Sequence, residues 1–231
     1  MPPAVAPSDI SETDPPEARK TRKNNPDATR ANILEVAIQE FAENGLSGAR
    51  VDVIAQGTRT SKRMIYYYFG SKEGLYLAAL ERAYLNIRGN EGRLELENLS
   101  PPDALRRLIE SMFDYHQSNP SMIRLFSIEN IHHASFLKQS KIIRELNVPI
   151  IAMTKRILED GYASGDFTQK VDPFDLHVMI SSMCFFRISN QYTLGTVFDR
   201  SLTAAETTRR HRRLVADMVL AYVASGKASN I

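Results

Sequence analysis

The chain is poor in the features that mark secreted, membrane-bound and metal-holding proteins. A single cysteine, Cys184, stands in 231 residues, so no internal disulfide can form and a reducing compartment is expected. No apolar run approaches the ~18 residues needed to span a bilayer. The first residues are rich in proline and acidic side chains and carry no apolar signal-peptide core, which predicts a cytoplasmic protein. There is no CxxC or HExxH spacing, and the adjacent His132 and His133 would point about 100° apart on a helix, so no metal site is expected. A glycine-rich phosphate loop, a nucleophile elbow and a constellation of paired carboxylates are all lacking, so neither an enzyme nor a bound cofactor is expected. Net charge is scarce as well. At +2 overall, any binding of nucleic acid must draw on positive charge gathered locally.

What is present is ordinary for a globular protein, with 43% hydrophobic and 24% charged residues, and its periodicity is helical throughout. Alternating strands of useful length and internal repeats are missing, so the fold class is all-α. Residues 1–26 hold Pro2, Pro3, Pro7, Pro15, Pro16 and Pro26 among small and charged residues and read as a disordered tail ending in the basic cluster Arg19, Lys20, Arg22 and Lys23. Such an arm either reaches DNA or is simply solvated. Residues 27–75 read as a small trihelical unit. Ile33, Ala37 and Phe41 repeat at i, i+4, i+8, and Asn44-Gly45 supplies a left-handed stop. Val51, Ile54 and Ala55 mark a second helix. Ser61 caps a third that carries Ile65 and Phe69, and Gly70-Ser71 restarts the chain. Residues 76–231 carry longer helices, for about nine in all. One long stretch, 138–163, is interrupted by Pro149, which should kink or split it; two more helices are expected at about 173–194 and 204–224.

The third helix carries the chemistry. With Ile65 and Phe69 packed inward, Lys62, Arg63, Tyr66 and Tyr67 occupy the other faces, while Tyr68 is the tyrosine most suited to packing. Cations neutralise phosphates, and phenol hydroxyls donate to phosphate oxygens or reach base edges. Thr60, Ser61 and Lys62 stand at the end of a recognition helix that points into a major groove, and Ser71 and Lys72 open a helix whose N-terminal amides suit a phosphate. Between residues 50 and 72 five cations (Arg50, Arg59, Lys62, Arg63, Lys72) face one anion, Asp52. The candidate DNA-binding set is therefore Arg50, Thr60, Ser61, Lys62, Arg63, Tyr66, Tyr67, Ser71 and Lys72.

The order Ser61-Lys62-Arg63-Met64-Ile65-Tyr66-Tyr67-Tyr68-Phe69-Gly70-Ser71-Lys72-Glu73 resembles the TetR family, over residues 27–80 most strongly. Gly48-Ala49-Arg50 together with Arg124-Leu125-Phe126 and Glu129 resembles its pyrimidine-utilisation-regulator branch. Two positions depart from the family pattern. Arg59-Thr60 replaces the usual Gly-Val of the turn, so Arg59 either takes a positive φ or the turn differs. Arg50 replaces the usual Thr or Ser at the start of the second helix, where it cannot cap but can reach a phosphate.

The resemblance implies a larger helical domain that binds a small-molecule effector and forms a homodimer through its last two long helices, acting on a double-stranded operator, most often as a repressor. Stripes consistent with this are Leu176, Met179, Ile180, Met183 and Phe186 on one helix and Leu214, Met218, Leu220 and Val223 on another. Polar groups set among apolar ones suggest effector-binding candidates: Phe113 with His116; Phe126 with Asn130 and His133; Phe186 with Arg187 and Asn190. A cation such as Arg187 in an apolar stretch is suited to an anionic effector. A constitutive DNA-binding protein with a collapsed core remains an alternative reading, as does an all-helical enzyme or carrier.

Overall fold

The computed structural model describes residues 25–225; the basic cluster Arg19, Lys20, Arg22 and Lys23 lies outside them. Among the described residues every regular element is helical. The first, α1 (Pro26–Gly48), starts where the Asn25 carboxamide oxygen accepts from the Ala28 N–H and Pro26 occupies the first turn, where its missing donor costs nothing. Its inner face buries Ile33, Leu34, Ala37, Ile38 and Phe41. Gly45, at φ 64°, kinks its end. There follow α2 (Val51–Thr58), α3 (Lys62–Phe69) and the long α4 (Lys72–Glu91).

Next come α5 (Pro101–Ser118), α6 (Pro120–Ile131), a single 3-10 turn (Leu137–Gln139), α7 (Ile142–Leu146), α8 (Val148–Ser164), α9 (Pro173–Ser189), α10 (Gln191–Phe198) and α11 (Ala205–Ala224). The helix count exceeds the expected nine for two local reasons. Pro149 splits its stretch, ending α7 at Leu146 and sitting in the first turn of α8. The helix expected over 173–194 stops at Ser189, because Asn190 leaves helical geometry and turns its amide back to the Phe186 carbonyl at 3.2 Å.

Two cores form. One joins α1–α4 to α6 and α7 through Phe41, Ile54, Ile65, Leu75, Tyr76, Leu80 and Ile123. Tyr76 takes Phe41 edge-on at 5.0 Å and Phe136 at the same distance. This core includes residues on both sides of position 75. The second core, of α5, α8, α9 and α11, holds Leu105, Leu108, Phe113, Ile157, Ile180, Cys184 and Ala216. Burial pushes the Cys184 thiol up to about 12, so it behaves as a small hydrophobe.

Candidate nucleic-acid interface and interior effector cluster

The outward side of α3 is fixed from within. Ser61 Oγ accepts from the Met64 N–H at 3.2 Å, Ile65 is buried in the first core, and Tyr68 and Phe69 pack partly against it. Arg30 of α1 lies over the Phe69 ring at 5.4 Å. Lys62, Arg63, Tyr66 and Tyr67 are left exposed, with 79% of Tyr67 in solvent. An aromatic that exposed gains nothing from the core. Thr60, half-buried in the turn, spends its N–H on the Ala55 carbonyl at 3.0 Å.

Both departures from the family pattern resolve locally. Arg59 takes the left-handed conformation, φ 54° and ψ 35°, which a glycine would adopt freely. Arg50 begins α2 without a side-chain cap; instead the buried Glu40 of α1 accepts from the Arg50 N–H at 2.9 Å. At the α3–α4 corner, Ser71 Oγ accepts from the Gly74 N–H at 3.0 Å. A Cβ on Gly74 would fall 2.2 Å from the Phe69 carbonyl oxygen, so the corner requires glycine there. Lys72 Nζ donates to the Ser47 carbonyl at 3.1 Å, tying α4 to the end of α1.

Asp52 has a larger part than its being the lone anion suggests. Its carboxylate meets Lys62 Nζ at 3.2 Å and Arg50 Nη2 at 3.3 Å. A backbone N–H at its own position, then Lys62 and Arg50, hold that carboxylate below the usual range. All three side chains are solvated, so these pairs are weak and open to competition from phosphate.

Inside the second core the candidate effector residues separate. Phe113, His116 and Arg187 converge between α5 and α9. The Arg187 guanidinium lies 4.3 Å from the Phe113 ring centroid, donates to the Leu202 carbonyl at 2.7 Å and meets the Gln117 side-chain oxygen. Among the described residues its Nε has no partner, and neither has His116 Nδ1. Phe185 faces the His116 ring edge-on at 6.4 Å. Burial, then the nearby Arg88, His177 and Arg187, pushes His116 down to about 4. His177, lowered to about 4 by burial and Arg88, belongs to the same group; its Nε2 lies 3.4 Å from Ser181 Oγ. Arg88 of α4 pairs with the buried Glu91, whose pKa burial raises while Arg88 offsets the rise.

The other candidates lie elsewhere. Phe126 stacks on Tyr84 at 4.5 Å in the first core. Asn130 turns back to the Phe126 carbonyl at 3.0 Å, and His133 stands exposed in a turn at φ 57°. Phe186 faces solvent and Asn190 closes α9. Sequence reasoning passed over His177, Arg88 and Gln117. The spacing of His177, Ser181 and Cys184 at i, i+4, i+7 is the signal that leads along α9 towards Arg187.

Comparison with known proteins decides the family. Residues 33–79 match the model for bacterial regulatory proteins of the tetR family, and residues 101–219 match the tetracyclin repressor-like C-terminal domain. The HTH-type transcriptional repressor NicS of Pseudomonas putida is 32% identical over 206 residues, covering 88% of this chain and 97% of that one. The chain belongs to the TetR family.

The HTH-type transcriptional regulator RutR of Escherichia coli is 30% identical over 66% of this chain and 70% of its own length. A bacterial regulatory protein of the tetR family from Rhodococcus RHA1 superposes with a TM-score of 0.65 at 21% identity, covering 88% of this chain and 98% of that one. The all-helical architecture is that of TetR-family structures, and the chain is a DNA-binding transcription regulator rather than an enzyme. Among the described residues no helix is long and apolar enough to cross a membrane. In this TetR-family chain the apolar stripes of α9 and α11 divide. Leu176, Ile180 and Val223 enter the core, whereas Met179, Phe186, Leu214 and Met218 are half exposed or more. A groove of about 440 Å³ runs between the two helices, lined by Met179, Met183, Met218 and Tyr222.

Proposed function

We propose that this TetR-family regulator is a cytoplasmic repressor that binds a palindromic operator as a homodimer and is released by a small-molecule effector. The observation that carries the reading is the outward face of α3, where the exposed Tyr66 and Tyr67 lie one turn after the cations Lys62 and Arg63, beside the capped start of α4. In this reading Lys62, Arg63, Tyr66 and Tyr67 enter the major groove behind Thr60 and Ser61. Arg50, Ser71 and Lys72 hold the flanking phosphates.

One eight-residue helix reads too little sequence alone, and half-sites about 34–36 Å apart multiply affinity when both are engaged. The exposed methionine-rich face of α9 and α11 supports pairing with a second copy. Helix α4 connects the two ends of the mechanism. Lys72 stands at its DNA-facing start and Arg88 reaches the interior cluster, about 24 Å further along. A ligand that favours a different placement of Arg88 would move the start of α4 and spoil the spacing of the recognition helices. Its effect is bounded by its differential affinity for the two states.

Repression is supported by the names of the Pseudomonas putida relative and of the repressor SCO4008 of Streptomyces coelicolor, 30% identical over 69% of this chain. The test is footprinting on the DNA upstream of the protein's own gene, with the Lys72→Ala variant in parallel. A palindromic footprint is expected. Lys72→Ala should weaken binding to all sequences and reduce the salt slope by about one. Unchanged affinity and unchanged slope would remove Lys72 from the interface.

A further inference from the structure

Among the described residues one cation, Arg187, is buried in the interior without a matching anion, beside the neutral imidazoles of His116 and His177. Arg187 is 6% exposed and His116 8%, and each keeps an unpartnered nitrogen, Nε and Nδ1. His177 Nδ1 and Arg88 Nε are also buried and unpartnered. Glu91 is the buried carboxylate of this region, and Arg88 already engages it. Among the described residues Arg187 is held by a backbone carbonyl, a carboxamide and the face of Phe113. Burying a guanidinium without a counter-charge costs free energy unless something else is gained. Four nitrogen-bearing side chains from three helices share this arrangement, so it is not a lone surface accident.

We propose that this cluster is the effector site and that its ligand is an organic carboxylate with an apolar body, the carboxylate seated on Arg187 and His116. Guanidinium and carboxylate match in shape as well as charge, which favours a carboxylate over a spherical anion. Phe113 and Cys184 are packed beside these groups and Phe185 faces His116, so the wall around Arg187 is apolar, and His177 with Ser181 lies further along α9. A carboxylate arriving here neutralises charge next to Arg88, at the end of α4, which gives the ligand a direct hold on the helix that leads to DNA.

The proposal rests on the reading of the chain as an effector-controlled regulator, and the test separates the two. Full-length protein is titrated calorimetrically with benzoate and hexanoate, with benzamide and hexanamide as uncharged matches, and with inorganic phosphate; its operator complex is challenged with the same compounds. At least one carboxylate should bind at least tenfold more tightly than its amide and dissociate the operator complex. Arg187→Met should weaken that binding at least tenfold while the ligand-free variant melts no lower than wild type, since an uncompensated buried cation has been replaced by an apolar side chain of similar length. If Arg187→Met does not fold, Arg187→Lys and His116→Gln give the same affinity reading. Equal binding of carboxylate and amide, unchanged affinity in the variants, binding of phosphate alone, or no binding at all overturns the proposal. Carboxylate binding by a protein that footprints on no DNA would instead overturn the regulator reading and leave the site standing.

Discussion

Asp52 restrains the cations of the recognition face. Lys62 and Arg50 both reach its carboxylate across solvent, so in the proposed DNA complex each would exchange that contact for a phosphate. Asp52→Asn should therefore raise affinity for non-cognate DNA severalfold and steepen its salt dependence, read by fluorescence anisotropy at two salt concentrations. An unchanged slope would mean that the pairs do not persist in solution. Arg59 offers a second single-residue test. A left-handed residue with a Cβ is strained by roughly 1–2 kcal/mol, and glycine returns part of that through its freedom in the unfolded chain. Arg59→Gly should stabilise the fold by up to about 1 kcal/mol in thermal unfolding, while removing one cation next to α3. Ser61 to Lys72 were legible in sequence because a cap, an apolar pair and a cationic remainder are all local properties. Asp52's double pairing was not, since α2 and α3 first had to be set at their mutual angle.

At the scale of elements, Glu129 joins three of them. Its carboxylate takes the Tyr76 hydroxyl of α4 at 3.2 Å and the N–H groups of Phe136 and Leu137 at 2.7 and 3.0 Å, from its own place in α6. It is 1% exposed, and the turn it secures holds His133 and Ala134 at positive φ. Glu129→Leu leaves the hydroxyl and two backbone donors without a buried partner. A loss of about 3 kcal/mol or more is expected in chemical denaturation. A loss below 1 kcal/mol would show that water replaces the carboxylate. The same periodicity that placed α6 could not reveal this, because Tyr76 lies fifty-three residues before its partner. The break after Ser189 escaped for a related reason: Asn190 is a tolerable helix residue until its amide turns back on the Phe186 carbonyl.

For the molecule as a whole, acid and assembly are the informative perturbations. His116 and His177 protonate near 6.5 in an unfolded chain but only near 4 in the fold. Between those values the unfolded chain holds more protons, so stability is complete above about 6.5 and falls as pH drops towards 4. For His116 the full gap is on the order of 3 kcal/mol. The melting temperature should decline across that window, and His116→Gln should decline less; parallel curves would detach the ring from the acid response. The exposed faces of α9 and α11 make the other prediction. Met218→Asp should give a monomer in sedimentation and weaken operator binding at least a hundredfold, with helical circular dichroism retained. A dimer that persists would place the interface elsewhere.

Sequence alone determined the all-helical class, the trihelical start and the cationic, tyrosine-bearing face of α3. Each follows from residues within a few turns of one another, where period and capping act. It also put Phe113, His116 and Arg187 among a wider set of candidates. Only the tertiary structure brought those three together with His177 and Arg88 and sent Phe126, Asn130, His133, Phe186 and Asn190 elsewhere. It likewise divided the stripes of α9 and α11 into buried and exposed halves. The physical reason is that burial and charge balance are sums over neighbours from different helices. The resemblance in α3 implied DNA binding from the start; the meeting of Arg187 and His116 with Arg88 emerged only when α4, α5 and α9 were packed side by side.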